Sequence, residues 1–103
     1  MEEMELIAFQ MISQAGSARS SFMEALMHAR AGQFDGAKEK LAEAAEQLSE
    51  AHKVHAGLIQ QEAAGNKTVI TLLILHAEDL LMTTETMGEL AKEFVYMYRE
   101  FRK

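Results

Sequence analysis

Two polar side chains interrupt the most apolar stretch of this chain on one helical face: His76 and Asp79, inside Thr68–Thr84, TVITLLILHAEDLLMTT. A titratable ring and carboxylates in so greasy a setting are costly to bury unless something satisfies or uses them. A neutral imidazole keeps one unprotonated nitrogen that can accept a phosphoryl group while a local acceptor holds the other. The same ring can equally be a core histidine satisfied by hydrogen bonds. On a helix, His76 and Asp79 are neighbours at i and i+3. Asp79 shares its face with Leu72, Leu75 and Met82, so it must be exposed, protonated, paired or bound to a cation. If helices pack about a symmetry axis, copies of Asp79 could meet there and would repel unless a metal ion neutralised them.

The remaining candidates are weaker. His52 and His55 form an H-x-x-H pair that can supply two metal ligands, but a site needs a third and fourth, and the sequence shows none nearby. His28, beside Arg30 before a turn, suits a helix end, where a cation complements the dipole. Arg19 follows the small residues Ala15, Gly16, Ser17 and Ala18, which let another helix approach closely; its guanidinium could pair with a carboxylate or approach a phosphate. Gly16 inside a helix costs up to about 1 kcal/mol relative to Ala, which predicts tight packing there. No Lys or Arg lies between Thr68 and Ala91, so the segment bearing His76 has no cationic clamp of its own. Leu72, Leu73, Leu80 and Met82 around it can serve as a docking rim or as core.

The elements that must position these residues are helices. The chain has no proline and is rich in Ala, Leu, Met, Glu, Lys and Gln, the strong helix formers. Two turns punctuate it. At Ala31–Asp35, Gly32 can end a helix in the left-handed conformation and Asp35 can cap the next. At Gly65–Thr68, Gly65 can do the same, with Asn66 or Thr68 as the following cap. Three segments of roughly 30 residues remain, each about 45 Å long if fully helical.

Each segment carries an alternating three-and-four spacing. The first runs Met4, Ala8, Met11, Ala15, Ala18, Phe22, Ala25, Ala29. The second runs Phe34, Ala37, Leu41, Ala44, Leu48, Ala51, His55, Leu58. The third runs Val69, Leu73, His76, Leu80, Thr83, Met87, Leu90, Phe94, Met97, Phe101. Such spacing marks seams between long, nearly antiparallel helices, so the expected fold is all-α, an up-down-up three-helix bundle. The β-branched residues of Thr68–Leu75 read as a strand in isolation, but no partner strand exists and the seam continues to Phe101. Val69–Leu75 is apolar on nearly every face, which predicts oligomerisation through the N-terminal half of the third helix in a closed symmetric assembly. Beyond Glu85 the polar face returns with Glu89, Lys92 and Glu93.

Size and charge bound the function. A chain of 103 residues is a single domain, 1–103, and buries only about two-thirds of the surface its unfolded form exposes. The net charge of −6 argues against nucleic acid as a partner. The absence of cysteine excludes disulfides and thiolate chemistry and fits a reducing compartment. The acidic start Met1-Glu2-Glu3 lacks the basic region of a signal peptide, and Val69–Leu75 is far short of the ~20 apolar residues of a membrane span. The expectation is a cytoplasmic protein with no direct membrane insertion.

Read together, several stretches resemble one family: Ala15-Gly16-Ser17-Ala18-Arg19-Ser20, Glu24-Ala25, Ala31-Gly32-Gln33-Phe34, Ala51-His52, Leu58–Ala63, and above all His76-Ala77-Glu78-Asp79-Leu80-Leu81-Met82-Thr83. The chain is similar, almost end to end, to the IIA component of the lactose/cellobiose (N,N′-diacetylchitobiose) group of the bacterial phosphoenolpyruvate:sugar phosphotransferase system. The resemblance implies a trimer of three-helix protomers. It implies a histidine, matching His76, that takes phosphate from phospho-HPr on Nε2 and passes it to a cysteine of the IIB component during uptake of cellobiose-like disaccharides. It further implies that Asp79 meets its symmetry mates around a divalent metal ion such as Mg2+ at the trimer axis. Three departures, over four positions, break the family pattern H-A-Q-D-H-L-M and its upstream Ala-His-x-x-Gln-Thr. Glu78 replaces glutamine, Leu80 replaces a second histidine, and His55-Ala56 replaces glutamine-threonine. Other readings of the same residues are a non-catalytic helical adaptor or oligomer, and a metal-binding bundle built on His52, His55 and a carboxylate. A two-component histidine phosphotransfer domain would carry a lysine and a glycine just after its histidine, where this chain has Glu78 and Asp79.

Overall fold

Gly32 and Gly65 stop the first two helices as their positions predict, at φ of 78° and 96°. At the first turn the Gly32 N–H donates to Ala29 O and the Gln33 N–H to His28 O; at the second, Gly65 donates to Glu62 O and Asn66 to Gln61 O. This paired bonding satisfies the last carbonyls of each helix, and only glycine adopts the required backbone without strain. The computed structural model describes residues 3–102, so the acidic start at Met1 and Glu2 lies outside the described residues. Its elements are α1 (Glu3–Arg30), α2 (Phe34–Ala63) and α3 (Leu72–Phe101). Among the described residues there is no strand, and the helices form an up-down-up bundle with a longest dimension of 54 Å.

α1 is the central element. It packs along both other helices, whereas α2 and α3 touch each other far less. Its buried face is Ala8, Met11, Ala15, Ala18, Ser21, Phe22, Ala25 and Ala29, the expected seam with Met4 half-buried and Ser21 added. Ser21 donates to Gln47 Oε1 at 2.8 Å and so joins α1 to α2 inside the core. On α2 the expected seam also holds: Ala37, Ala44, Ala51 and Leu58 are buried, and Phe34, Leu41, Leu48 and His55 are half-buried between them. Lys40 bridges Glu24 of α1 at 2.7 Å and Glu43 at 3.2 Å, and these hydrogen bonds, Glu24's foremost, raise its pKa above the usual lysine value.

Four expectations are corrected. The seam of α3 lies one residue later than its largest apolar residues suggest: Ile74, Ala77, Leu81, Thr84, Gly88, Ala91 and Val95 are buried. Small residues win because α1 approaches closely; a Cβ at Gly88 would run into the Phe22 ring. Secondly, α3 starts at Leu72 behind Thr71, not at Val69 behind Asn66 or Thr68, and residues 66–71 run non-helical. The β-branched run Thr68-Val69-Ile70-Thr71 resists the helix, and Thr71 then caps it. Thirdly, α2 starts behind Gln33, whose side chain makes no capping bond; Asp35 sits in the first turn, where its carboxylate complements the dipole. Finally, no atom lies within 4 Å of a Cβ built at Gly16, so this glycine serves no close packing within the protomer.

Candidate functional site

The non-helical run before α3 decides where His76 lies. Thr71, extended at φ −124° and ψ 163°, accepts the Ile74 N–H on its Oγ1 at 3.2 Å, and its carbonyl accepts from Leu75. Helix therefore begins four residues before His76, which places the ring about 6 Å along the axis from the first helical residue. Side chains on a helix lean toward its N-terminus, so His76 leans toward the positive end of the α3 dipole. The ring is exposed. A negatively charged group on it would meet the partial positive charge of the helix end, which is the one cationic feature α3 itself offers here.

Asp79 is exposed on the same face, with no carboxylate-to-cation pair among the described residues. Around it the face is apolar and open to solvent: Leu72 is 84% exposed, Leu75 52% and Met82 54%. Of the expected rim, Leu72 and Met82 point outward, while Leu73 and Leu80 pack against the core cluster of Ala8, Met11, Ile74 and Leu81. The outward stripe does not stop at the N-terminal half. Leu90, Phe94, Met97 and Phe101 continue it to the end of α3, although Glu89, Lys92 and Glu93 lie exposed beside them.

The other histidines have partners. His55 Nδ1 donates to Glu78 Oε1 at 2.8 Å, and His52 Nε2 lies 3.5 Å from Glu85 Oε2, so two rungs connect α2 to α3. His52 and His55 thus turn to separate glutamates. Among the described residues no three His, Asp or Glu side chains cluster as a metal site. His28 donates from Nδ1 to Gln33 Oε1 at 2.7 Å across the first turn, and Arg19 is exposed with no carboxylate of the described residues within 4 Å. The His55–Glu78 pair is what reading the sequence missed. No spacing in the letters announces it, since His52 and His55 are three residues apart and Glu78 and Glu85 seven; which side chains meet depends on how α2 and α3 are set against each other.

One protomer thus offers an exposed imidazole near a helix N-terminus, flanked by an unpaired carboxylate in an apolar stripe. The ring has free access for a donor or acceptor, and Asp79 alone supplies a single hard oxygen ligand group. Only copies brought together could make it a cation site, one suited to an oxygen-preferring ion.

A family model described as "PTS system, Lactose/Cellobiose specific IIA subunit" matches residues 6–99. The lichenan-specific phosphotransferase enzyme IIA component of Bacillus subtilis is 48% identical over 99 residues, covering 96% of this chain and 90% of the relative. The crystal structure of the PTS cellobiose-specific enzyme IIA from Bacillus anthracis superposes with a TM-score of 0.97 at 44% identity, covering 99% of this chain and 94% of that one. The IIA(Chitobiose) protein of Escherichia coli, solved in complex with HPr, superposes with a TM-score of 0.85 at 32% identity over the full length of both chains.

Proposed function

The chain belongs to the lactose/cellobiose-specific IIA family of the phosphotransferase system, and from that premise we propose that it carries phosphate on His76 from phospho-HPr to a cysteine of a IIB component. The observation that carries this reading is the placement of His76: exposed and in the second turn of α3, within the stretch His76-Ala77-Glu78-Asp79 whose resemblance to the family pattern makes it the phosphate acceptor. The complex of the E. coli relative with HPr supports HPr as the donor.

Phosphoryl transfer asks a protein mainly for positioning and charge stabilisation. The imidazole Nε2 lone pair attacks phosphorus as the bond from phosphorus to the donor breaks. In the second step a IIB thiolate attacks the same phosphorus and the imidazole leaves. On this chain the α3 N-terminus offers partial positive charge to the phosphohistidine. No Lys or Arg of α3 precedes Lys92, so the phosphate is held weakly, which suits a carrier that must give up what it accepts. Leu72, one turn before the ring, and Leu75 and Met82 on the Asp79 side of it leave exposed apolar surface on which two partners can dock in turn.

The same apolar stripe supports assembly of three copies about α3. Asp79 fits as one of three carboxylates shared at the axis, with its unpaired, exposed side chain ringed by apolar neighbours. A divalent cation such as Mg2+ bound there would neutralise the mutual repulsion of the carboxylates. No helix among the described residues is long and apolar enough to cross a membrane. We place the protein in the cytoplasm, serving a membrane partner that takes β-linked disaccharides such as cellobiose, as the lichenan- and cellobiose-specific relatives suggest.

The direct test is incubation with phosphoenolpyruvate, enzyme I and HPr. Wild type is expected to yield one acid-labile phosphoryl group, and His76→Ala none. Undiminished labelling of His76→Ala would overturn the assignment.

A further inference from the structure

Two of the three departures from the family pattern meet in one contact. Where the pattern has two glutamines, this chain has His55 on α2 and Glu78 on α3, and His55 Nδ1 lies 2.8 Å from Glu78 Oε1. A neutral pair has been exchanged for a donor and a carboxylate together. Both groups are partly sheltered, at 22% and 33% side-chain exposure, at the edge of a cleft of about 180 Å³ walled by Leu58, Ile74 and Leu75.

Glu78 is two residues from His76, which puts the two side chains roughly 160° apart around α3. That placement matters because Glu78 would otherwise be a third negative group, with Asp79 and the phosphate itself, at a site without a lysine or arginine. A glutamate has three rotatable bonds, and Leu75 and Met82, its neighbours at i−3 and i+4, stand at the exposed rim. Without a partner on α2 the carboxylate is free to swing toward that rim and the incoming phosphoryl donor. The imidazole N–H restrains it against α2, on the side to which the helix already assigns its Cβ.

Resting on the phosphocarrier reading, we propose that His55 is a positioning residue for transfer at His76: it acts through Glu78, holding that charge on the α2 side of α3 and away from the phosphohistidine. The pair also fastens the N-terminal half of α3 to α2 where those two helices share little packing. Charge placement and fastening separate experimentally, because removing the charge of Glu78 relieves the first and does nothing to restore the second.

The experiment measures the initial rate of labelling by phospho-HPr for four proteins of verified helicity. His55→Ala is expected to lower kcat/KM by about three- to tenfold, the size of one extra charge near the reacting group. His55→Ala/Glu78→Gln is expected to return to within about twofold of wild type, although the α2–α3 bond stays broken. His55→Gln/Glu78→Gln, which recreates the family pair, should run at the wild-type rate. Should His55→Ala match wild type, or Glu78→Gln fail to rescue it, the positioning role is overturned while labelling at His76 still upholds the carrier. Should wild type itself not label, the carrier reading falls and this role with it.

Discussion

Leu80 stands where the family pattern has a second histidine, and the structure gives it a use that polarity could not serve: it packs, half-buried, against Ala8, Met11 and Leu81. The polar lining is therefore thinner here than in the pattern, and His76 relies more on the helix end. Elsewhere on the same helix a polar atom sits where none is needed. Thr84 is 1% exposed, and its Oγ1 has no hydrogen-bond partner among the described residues. Leaving a hydroxyl buried and unbonded costs about 1–3 kcal/mol, whereas a methyl in its place fills the same volume. Thr84→Val is expected to stabilise the protein by about 1 kcal/mol, raising the thermal midpoint by about 4–8 °C at fixed protein concentration. An unchanged or lower midpoint would mean that the hydroxyl has a partner after all. Chemistry at this scale was partly legible in the sequence. An apolar run interrupted by His76 and Asp79 can be seen in the letters alone, and both prove exposed. The partnership of His55 with Glu78 could not, because it depends on how two helices distant in sequence are set against each other.

At the level of elements, α1 and α2 were legible because alanines recur at the three-and-four spacing of their buried faces, and in α1 that stripe wins although Leu6, Phe9, Met23 and Met27 stay exposed. α3 is apolar on several faces, and two stripes one residue apart obey the same alternation. Weighting by size selected Leu73, Leu90 and Phe94; packing selected Ala77, Gly88 and Ala91, because a close approach to α1 leaves no room for bulk. The large residues turned outward are then surface in need of a cover. Its start was misread for a related reason: four β-branched residues resist the helix until Thr71 supplies a cap. That cap carries its own test. Thr71→Ala removes the acceptor of the Ile74 N–H and should cost about 1 kcal/mol, seen as a lower urea midpoint with unchanged slope. Amide exchange at Ile74 should quicken, and Thr71→Ser, which keeps the oxygen, should restore both. Equal midpoints for Thr71→Ala and wild type would show that residues 66–71 are held by something other than this cap.

For the whole molecule the surface left uncovered is the outer face of α3. Leu72, Leu75, Leu90, Phe94 and Phe101 lie exposed along a helix of 30 residues, spaced so that copies could interlock side chains across a shared axis. A continuous apolar stripe of that length marks an interface on a chain too small to bury all its apolar surface alone. Asp79 interrupts it near one end, so in the proposed trimer three carboxylates would come together, and an oxygen-preferring cation would keep them from repelling. Wild type is therefore expected to scatter light as three times the 11.5 kDa of one chain. Leu90→Glu, which sets three charges into the stripe several turns from His76, should release single chains. A chelator should loosen the wild-type assembly and leave Asp79→Leu intact, since leucines at the axis need no ion. A wild type indifferent to chelator removes the metal from the scheme and leaves the trimer; one that scatters as a single chain removes both. The monomeric Leu90→Glu protein then decides a question of catalysis. If it labels at the wild-type rate, one protomer holds the whole phosphate site, whereas a loss of labelling with helicity intact means that a neighbouring copy supplies the cationic help α3 lacks.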